Sequence, residues 1–149
     1  MLSNLPKTPK GGLSQVKEMS PYEIIEDDIN EFNLKLDPKQ TYAAVLKMVQ
    51  KPNYRIVRAN NTLLILDNHG NGSGEGMIFS ADGPQTFVTS LRQLNKALKT
   101  AGLKSVTFSA SGMAIEPLMK RAGLNYTIRD AMLKIGGEKR KGQIITVTE

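Results

Sequence analysis

The chain has 149 residues, 40% of them hydrophobic and 23% charged, which is enough for one globular domain with an apolar core. It contains no cysteine and a single histidine, so disulfides, thiolate chemistry and a site built from several histidines of one chain are excluded. No apolar run approaches the roughly 18 residues that a membrane span needs, and the first residues lack the apolar core of a secretory signal. We therefore expect a cytoplasmic protein with neither a membrane span nor a metal site.

The formal net charge is +6, and it is spread unevenly along the chain. Acidic residues concentrate between Glu23 and Glu31, whereas the stretch from Arg92 to Lys141 holds 11 Lys and Arg against three acids. Such a basic half favours nucleic acid or an acidic protein partner, although an ordinary solvated surface also carries this excess. The candidate contact residues are six cations of this half: Arg92, Lys96, Lys99, Lys139, Arg140 and Lys141.

The N-terminal third predicts an arm followed by two helices. Residues 1–19 are rich in Pro, Lys, Gly and Ser without periodicity, which predicts an extended arm without its own core. We expect that arm to be held by a protein assembly or by a second copy of the chain. A Ser-Pro-Tyr-Glu capping box beginning at Ser20 opens the first helix, and an Asp-Pro pair at Asp37 opens the second.

The middle of the chain predicts strands and then a long helix. The β-rich segments 53–59 and 62–67 flank an Asn-Asn turn, which is typical of a hairpin, and 76–81 is a third strand candidate. Gly83 and Pro84 then open a long helix whose apolar residues recur at steps of four, three and four. Gly102 is placed to end this helix.

The last third predicts strand, short helix and strand, then a tail. The strand candidate 125–136 carries a candidate break at Asp130–Ala131, and a final strand candidate covers Ile144–Val147. The order is therefore α-α-β-β-β-α-β-α-β-(β), a mixed α/β (α+β) fold with a twisted sheet of five to seven strands and about four helices. The passage from Met77 to Phe108 predicts a right-handed crossover between parallel strands. We expect one domain over 20–137 and a basic C-terminal tail over 138–149.

Four glycines alternate with other residues just after the chain's only histidine, His69. They are Gly70, Gly72, Gly74 and Gly76. A phosphate-binding loop leads from a strand into a helix, but this run lies between two predicted strands and lacks a Lys-Ser/Thr ending. We predict a mobile loop connecting two strands, with His69 exposed. An anion site in the glycines and a general base at His69 remain alternatives.

The segment from Gly76 to Tyr126 resembles the central strand, long helix, next strand and following helix of the GNAT superfamily, the acyl-CoA-dependent N-acyltransferases. Its LMKRAGL stretch, Leu118 to Leu124, is similar to the LYEKLGF ending common in that family. The order of elements extends the likeness to Tyr22–Ile135. The resemblance implies a GNAT-like fold and, where the family's site is kept, acetyl-CoA as cosubstrate.

The family's pyrophosphate loop is replaced in this chain. The resemblance implies a Q/R-x-x-G-x-G/A loop whose backbone N–H groups hold the CoA pyrophosphate before the long helix. The sequence here is SADGPQT, with Gly83 as its one glycine and Pro84, which has no N–H to donate. Asp82 and Gly83 are alternatively an ordinary helix cap. If acyl-CoA binds, the candidate contacts are Ala81, Asp82, Gly83 and Gln85.

The family's general acid is also replaced. The resemblance implies a tyrosine in the LYEKLGF helix that protonates the departing thiolate, and the matching residue here is Met119, a core-filling side chain. Tyr126 and Tyr22 are the available substitutes, with nothing in the sequence that favours them. The sequence thus predicts no catalytic residue.

Three functions follow from these patterns. The lost motifs favour a non-catalytic interaction or structural module on a degenerate acyltransferase-like fold, without a cofactor. Small relatives of that kind resemble bacteriophage virion or assembly proteins, which would be made in the host cytoplasm and packaged in the virion. The first alternative is an acyl-CoA-dependent N-acyltransferase with an atypical site, which needs splayed strands near Ile78–Ala81 and room before the Pro84 helix. The second is a nucleic-acid-binding protein using its basic half.

Overall fold

The computed structural model describes residues 17–110, 115–135 and 137–149, and over these ranges it has four helices and six strands. In chain order they are α1 (Pro21–Glu31), α2 (Pro38–Met48), β1 (Tyr54–Ala59), β2 (Thr62–Asn68), β3 (Ser73–Ser80), α3 (Pro84–Thr100), β4 (Ser105–Ala110), α4 (Ile115–Arg121), β5 (Asn125–Ile135) and β6 (Glu138–Thr148). The predicted class and element order are confirmed. No helix of the described ranges is both long and apolar enough to cross a membrane.

The two N-terminal helices begin as their capping patterns predict. The Ser20 hydroxyl accepts the Glu23 N–H at 3.2 Å, and the Glu23 carboxylate accepts the Ser20 N–H at 2.8 Å, which completes the capping box. The Asp37 carboxylate accepts the Gln40 N–H at 3.1 Å at the start of α2.

The end of the predicted arm contacts the turn between β1 and β2. The Met19 N–H donates to Asn61 Oδ1 at 3.0 Å, and Asn61 Nδ2 donates to the Lys17 carbonyl at 2.6 Å. The rest of the arm, residues 1–16, lies outside the described residues. The described end is therefore held by the chain's own first hairpin.

The six strands form one sheet in the order β1-β2-β3-β4-β6-β5. The predicted β1–β2 hairpin is confirmed, and so is the parallel pairing of β3 with β4, the two strands that α3 connects. The other neighbours are antiparallel. Because β6 lies between β4 and β5, the segment predicted as a tail contributes an inner strand.

Two strand predictions are wrong in extent. β5 runs without a break through Asp130 and Ala131, because these residues pair with Gln143 and Gly142 of β6. β6 begins at Glu138 rather than at Ile144 for the same reason, since β5 and β6 pair over 11 residues each. Pairing with a neighbouring strand outweighs the weak β propensity of the Lys and Gly residues in this stretch.

Helices cover both faces of the sheet at β2, and the side chains of this strand are buried on both sides. Leu63 and Ile65 pack against α1 and α2 on one face, while Leu64 and Leu66 pack toward α3 on the other. Successive side chains of a strand point to opposite faces, so a strand buried on both sides reads as a continuous apolar run. This explains the uninterrupted "TLLILD" sequence.

The glycine run connects two strands, as predicted, but the connection is a short turn and the later glycines belong to β3. The His69 N–H donates to the Ser73 carbonyl at 3.0 Å, so only residues 69–72 lie between β2 and β3. Gly70 and Gly72 have positive φ angles of 82° and 85°, which the turn requires. Gly76 lies within β3, where a Cβ would come within 2.6 Å of Leu64 Cδ1. These glycines therefore serve turn geometry and strand packing.

Candidate functional site

The candidate site lies where β3 and β4 part. The parallel ladder between them ends at the pair Met77–Ser109, although β3 continues to Ser80, still paired with β2. On its other side β4 pairs with β6 as far as Ala110. The described ladder can be followed only this far, because residues 111–114, which come after β4, lie outside the described ranges. We call the end of this ladder, where Ile78–Ser80 of β3 and Ala110 of β4 lie, the wedge, and the side chains of Phe79 and Ser80 are buried in it.

The far side of the wedge is bridged by β6 and the end of α1. β6 extends past the end of β4, since Ala110 pairs with Gln143 while β6 starts at Glu138. In this extension Arg140 donates to the Phe32 carbonyl at 3.4 Å and to the Asn33 carbonyl at 3.1 Å, just after α1. Arg140 thus links β6 to the end of α1, the helix that packs on β2 and β3.

The connection from β3 to α3 opens beside the wedge and has only three residues, Ala81, Asp82 and Gly83. Gly83 is the N-cap of α3 and provides no side-chain cap, and a Cβ at this position would meet no atom within 4 Å. The first turn of a helix has N–H groups without intrahelical partners, but Pro84 removes one of them. The predicted contact Gln85 is exposed on this turn. The start of α3 is thus open to solvent.

Asp82 does not cap α3. Its Oδ1 accepts the Asn61 N–H at 3.1 Å, and its Oδ2 accepts the hydroxyls of Thr62 at 2.7 Å and Ser90 at 2.8 Å. Its own N–H donates to the Ser80 hydroxyl at 3.1 Å. The alternative interpretation of Asp82 as a helix cap is therefore wrong, because this carboxylate fastens the β1–β2 turn to β3 and α3.

A buried carboxyl group borders the wedge on the α1 side. Asp28 is 8% exposed, and its Oδ1 accepts the Ser80 N–H at 3.1 Å. Backbone groups of adjacent residues in a strand face opposite edges, and the Ala81 N–H donates toward β2, to the Asn61 carbonyl. The Ser80 N–H therefore faces the wedge, and Asp28 occupies the open edge of β3.

The environment of Asp28 disfavours its ionised form. Burial raises the pKa of this carboxyl from its usual 3.8 to about 7, the Ser80 N–H opposes the rise, and the charges of Glu31 and Asp27 add to it. A carboxyl group with a pKa near neutrality changes its protonation under physiological conditions. Such groups concentrate at functional sites.

The sequence contained one signal for Asp28, which was missed. The buried residues of α1 are Ile24, Ile25, Asp28 and Ile29, so Asp28 stands four residues after Ile24 on the apolar stripe. The charge pattern places Asp28 only among the acidic residues between Glu23 and Glu31. Helical periodicity alone places Asp28 on the buried side, whereas its contact with Ser80 requires the tertiary structure.

The tyrosine substitutes for the family's general acid are held by carboxylates. Met119 is 0% exposed in the core between α3, α4 and the sheet, as its packing interpretation predicts. The Tyr126 hydroxyl donates to Glu116 Oε2 at 3.0 Å, and burial together with Glu116 raises the pKa of Tyr126. The Tyr22 hydroxyl donates to Glu26 Oε2 at 3.3 Å, and its pKa is raised by burial and then by Glu26. Both phenols are therefore weaker acids than a free tyrosine.

Two of the six predicted cationic contacts, Arg92 and Arg140, are hydrogen-bonded to backbone carbonyls of this chain. Arg92 donates to the carbonyls of Arg121 and Ala122 at the end of α4, so it joins two helices, and Arg140 is bound to the segment after α1. Lys139 and Lys141 are exposed on the other face of β6 from Arg140, because strand residues alternate. Lys96 and Lys99 are exposed on α3. A role of these residues toward nucleic acid stays a prediction.

His69 lies at the opposite end of β3 from α3. Its Nε2 is 3.4 Å from Glu75 Oε1 and 3.7 Å from Asp67 Oδ2, and Asn53 Nδ2 donates to Asp67 Oδ1 at 2.6 Å. The three ligand-type atoms lie within 4.8 Å of one another, which is a spacing that could hold a metal ion. The sequence alone does not identify an acidic partner for this histidine, because Asp67 and Glu75 are brought together only by the pairing of β2 with β3.

No protein-family model and no curated protein matches this sequence. Among solved structures, the fold is similar to the microcin C7 self-immunity acetyltransferase in complex with acetyl-CoA and AMP, with a TM-score of 0.58 and 10% identity over 86% of this chain and 84% of that one. The ribosomal-protein-S18-alanine N-acetyltransferase from Escherichia coli gives a TM-score of 0.54 and 15% identity over 89% and 91% of the two chains. The ribosomal-protein-S5-alanine acetyltransferase from Vibrio fischeri gives 0.54 and 8% over 90% and 91%.

At these identities the likeness is one of fold. The chain has the GNAT fold, as the resemblance of the Gly76–Tyr126 segment predicts. The comparisons give no support to the expected bacteriophage virion or assembly role.

Proposed function

We propose that this protein is an acyl-CoA-dependent N-acyltransferase with an atypical cosubstrate site. The single observation that carries the proposal is the exposed start of α3, which directly follows β3 and has no side-chain cap. The shared fold with acetyltransferases, one of them described in complex with acetyl-CoA, supports the same function. Acyl-CoA would supply an activated thioester, and an amine would accept its acyl group.

The start of α3 fits a phosphate group in part. The N–H groups of Gln85 and Thr86 belong to the first turn, and the helix dipole favours an anion there. The three-residue connection is short, Pro84 donates nothing, and no Lys or Arg occurs between Met77 and Thr89. The phosphates would therefore be held by backbone N–H groups and solvent rather than by a cationic side chain.

The open edge of β3 fits the thioester arm. An extended chain that carries amide groups can pair with an unpaired strand edge through backbone hydrogen bonds. The Ser80 N–H is such a group at the end of β3, and a ligand there would take the place that Asp28 Oδ1 now holds. In this arrangement β3 would orient the acyl group toward the space between α1 and β6, where an amine could enter.

Acetyl-CoA should raise the midpoint of thermal unfolding. A ligand at one hundred times its dissociation constant adds about 2.7 kcal/mol to the free energy of unfolding. For a domain of this size that corresponds to a rise of roughly 5–10 °C. Differential scanning fluorimetry with and without millimolar acetyl-CoA measures it, and an unchanged midpoint contradicts cosubstrate binding.

Two variants at Gly83 make this test specific to the start of α3. The position has an extended backbone, with φ of −68°, and open space around it, so either substitution leaves the fold intact. Gly83→Ala should keep the acetyl-CoA shift, whereas Gly83→Glu should reduce it by charge repulsion with the phosphates. An equal shift in both variants would place the phosphates elsewhere.

A non-catalytic interaction module is the second candidate, and one observation favours it. The connection before α3 is reduced to three residues, and Asp82 in it is committed to the hydrogen bonds with Asn61, Thr62 and Ser90. This function predicts no response to acetyl-CoA in either Gly83 variant or in the unaltered protein.

A further inference from the structure

The turn between β2 and β3 brings together three side chains of the types that ligate metals. His69 Nε2 lies 3.4 Å from Glu75 Oε1 and 3.7 Å from Asp67 Oδ2. Asp67 and Glu75 are directly opposite each other in the β2–β3 ladder, so their carboxylates stand on one face of the sheet. His69 begins the turn, which its N–H closes by donating to the Ser73 carbonyl at 3.0 Å. Strand pairing and the turn therefore hold all three groups in place.

The distances from the imidazole suit a shared ion better than direct hydrogen bonds. An N–H···O hydrogen bond spans about 2.7–3.2 Å, and both separations exceed this range. Zinc binds imidazole nitrogen and carboxylate oxygen at about 2.0–2.2 Å with tetrahedral angles, which places neighbouring ligand atoms roughly 3.3–3.6 Å apart. The separations from His69 Nε2 are close to that length, and the three ligand atoms all lie within 4.8 Å of one another.

Two further features favour a cation between these groups. Asn53 Nδ2 donates to Asp67 Oδ1 at 2.6 Å, which leaves Oδ2 to face the histidine, and hydrogen bonds of this kind orient groups that ligate metals. Within residues 17–110, 115–135 and 137–149, no Lys or Arg nitrogen lies within 4.0 Å of the Asp67 or Glu75 carboxylate. The described part of the chain therefore brings no cationic side chain to neutralise this pair.

We propose that His69, Asp67 and Glu75 bind a divalent transition-metal ion of the zinc class, through one imidazole nitrogen and two carboxylate oxygens. An imidazole ligand favours such an ion over Mg²⁺ and Ca²⁺, which take oxygen ligands. The sequence excludes a site with several histidines, but this site needs only one. His69 and Glu75 are exposed, so water can complete the coordination. Because the three groups meet only in the folded chain, the ion stabilises the folded state.

Zinc binding to the full chain tests the proposal. Isothermal titration calorimetry at pH 7.5, in a buffer that does not bind metals, should show one Zn²⁺ bound per chain. The chain has a single histidine, so ¹⁵N NMR of its ring reports on this site alone, and Zn²⁺ should shift the Nε2 resonance of His69. Millimolar Mg²⁺ should leave that resonance unchanged, since Mg²⁺ prefers oxygen ligands.

Three variants and one control assign the ligands. His69→Ala and Glu75→Gln each remove a ligand at an exposed position and should each abolish the one-site isotherm. Asn53→Ala should weaken zinc affinity by about tenfold or more, because loss of a group that orients a ligand typically costs 10–100-fold. Asp130→Asn removes an exposed carboxylate from β5 and should bind zinc as the unaltered protein does.

Zinc affinity that is equal in His69→Ala and the unaltered protein would overturn the site. The chain has no other imidazole and no cysteine, so the ion would then be held by oxygen ligands elsewhere. An unshifted His69 resonance at saturating zinc, or the absence of binding at millimolar zinc, would overturn it as well. None of these results bears on acyl-CoA binding, because the start of α3 lies at the other end of β3.

Discussion

Asp82→Ala should lower the free energy of unfolding by about 3 kcal/mol. Its carboxylate accepts three hydrogen bonds, and two of the donors, the Thr62 and Ser90 hydroxyls, belong to residues that are 0% exposed. Hydrogen bonds to a charged acceptor contribute about 1.5–3 kcal/mol each, and a buried donor left unpaired costs about as much. The loss stays below the sum because each hydroxyl has another acceptor within reach once the carboxylate is gone: the Ser80 hydroxyl for Thr62 and the Thr86 carbonyl for Ser90.

Urea unfolding at pH 7 measures this effect, and two variants control it. Asp82→Asn retains an acceptor oxygen and should lose less than Asp82→Ala. Asp130→Ala removes an exposed carboxylate from β5 and should change stability by no more than about 0.5 kcal/mol. A loss in Asp82→Ala as small as that of Asp130→Ala would mean that the carboxylate does not join these elements.

Asp28→Asn should stabilise the protein above pH 7. The folded-state pKa of about 7 lies above the usual 3.8, so between these values the folded protein binds more protons than the unfolded chain. Stability of the unaltered protein therefore falls as pH rises from about 4 to 7 and then stays level. Three pKa units correspond to on the order of 4 kcal/mol. Asparagine carries no charge to bury, so the variant avoids this loss.

Urea unfolding of both proteins at pH 4.5 and pH 8 measures the difference. The gain from Asp28→Asn should be small at pH 4.5 and several kcal/mol at pH 8. Asp27→Asn should give a much smaller growing gain, because Asp27 is itself exposed and its charge is the smallest of the effects that raise the pKa of Asp28. A variant that is less stable than the unaltered protein at pH 8 would contradict a buried, ionised Asp28.

Much of the fold could be predicted because local signals agree with the final structure. The capping box at Ser20, the Asn60–Asn61 turn and the stripe from Phe87 to Leu98 each define an element from neighbouring residues alone. The extent of β6 and the start of β3 could not be predicted, because both depend on pairing with strands that are distant in sequence. The glycine-rich segment 73–76 is a strand despite its low β propensity, because it pairs with both β2 and β4.

Less of the candidate site than of the fold could be predicted from the sequence. The sequence analysis could state that acyl-CoA binding requires splayed strands near Ile78–Ala81. It could not predict how β3 and β4 pair, because the register depends on the tertiary structure. Asp82 was interpreted as a cap because it stands before a helix, and its true partners lie on another strand and inside α3. Asp28 reaches Ser80 across 52 positions of sequence, so its role depends on how α1 packs on the sheet.

The central claim is that acyl-CoA binds in the wedge and at the start of α3. Amide chemical-shift mapping by two-dimensional NMR, with acetyl-CoA added to the isotopically labelled full chain, tests it most directly. The account predicts shifts that concentrate at Ile78–Ser80, Gly83 and Gln85, with those of the His69 turn unchanged. Shifts confined to the basic residues around Lys139–Lys141, or none at millimolar acetyl-CoA, would contradict it.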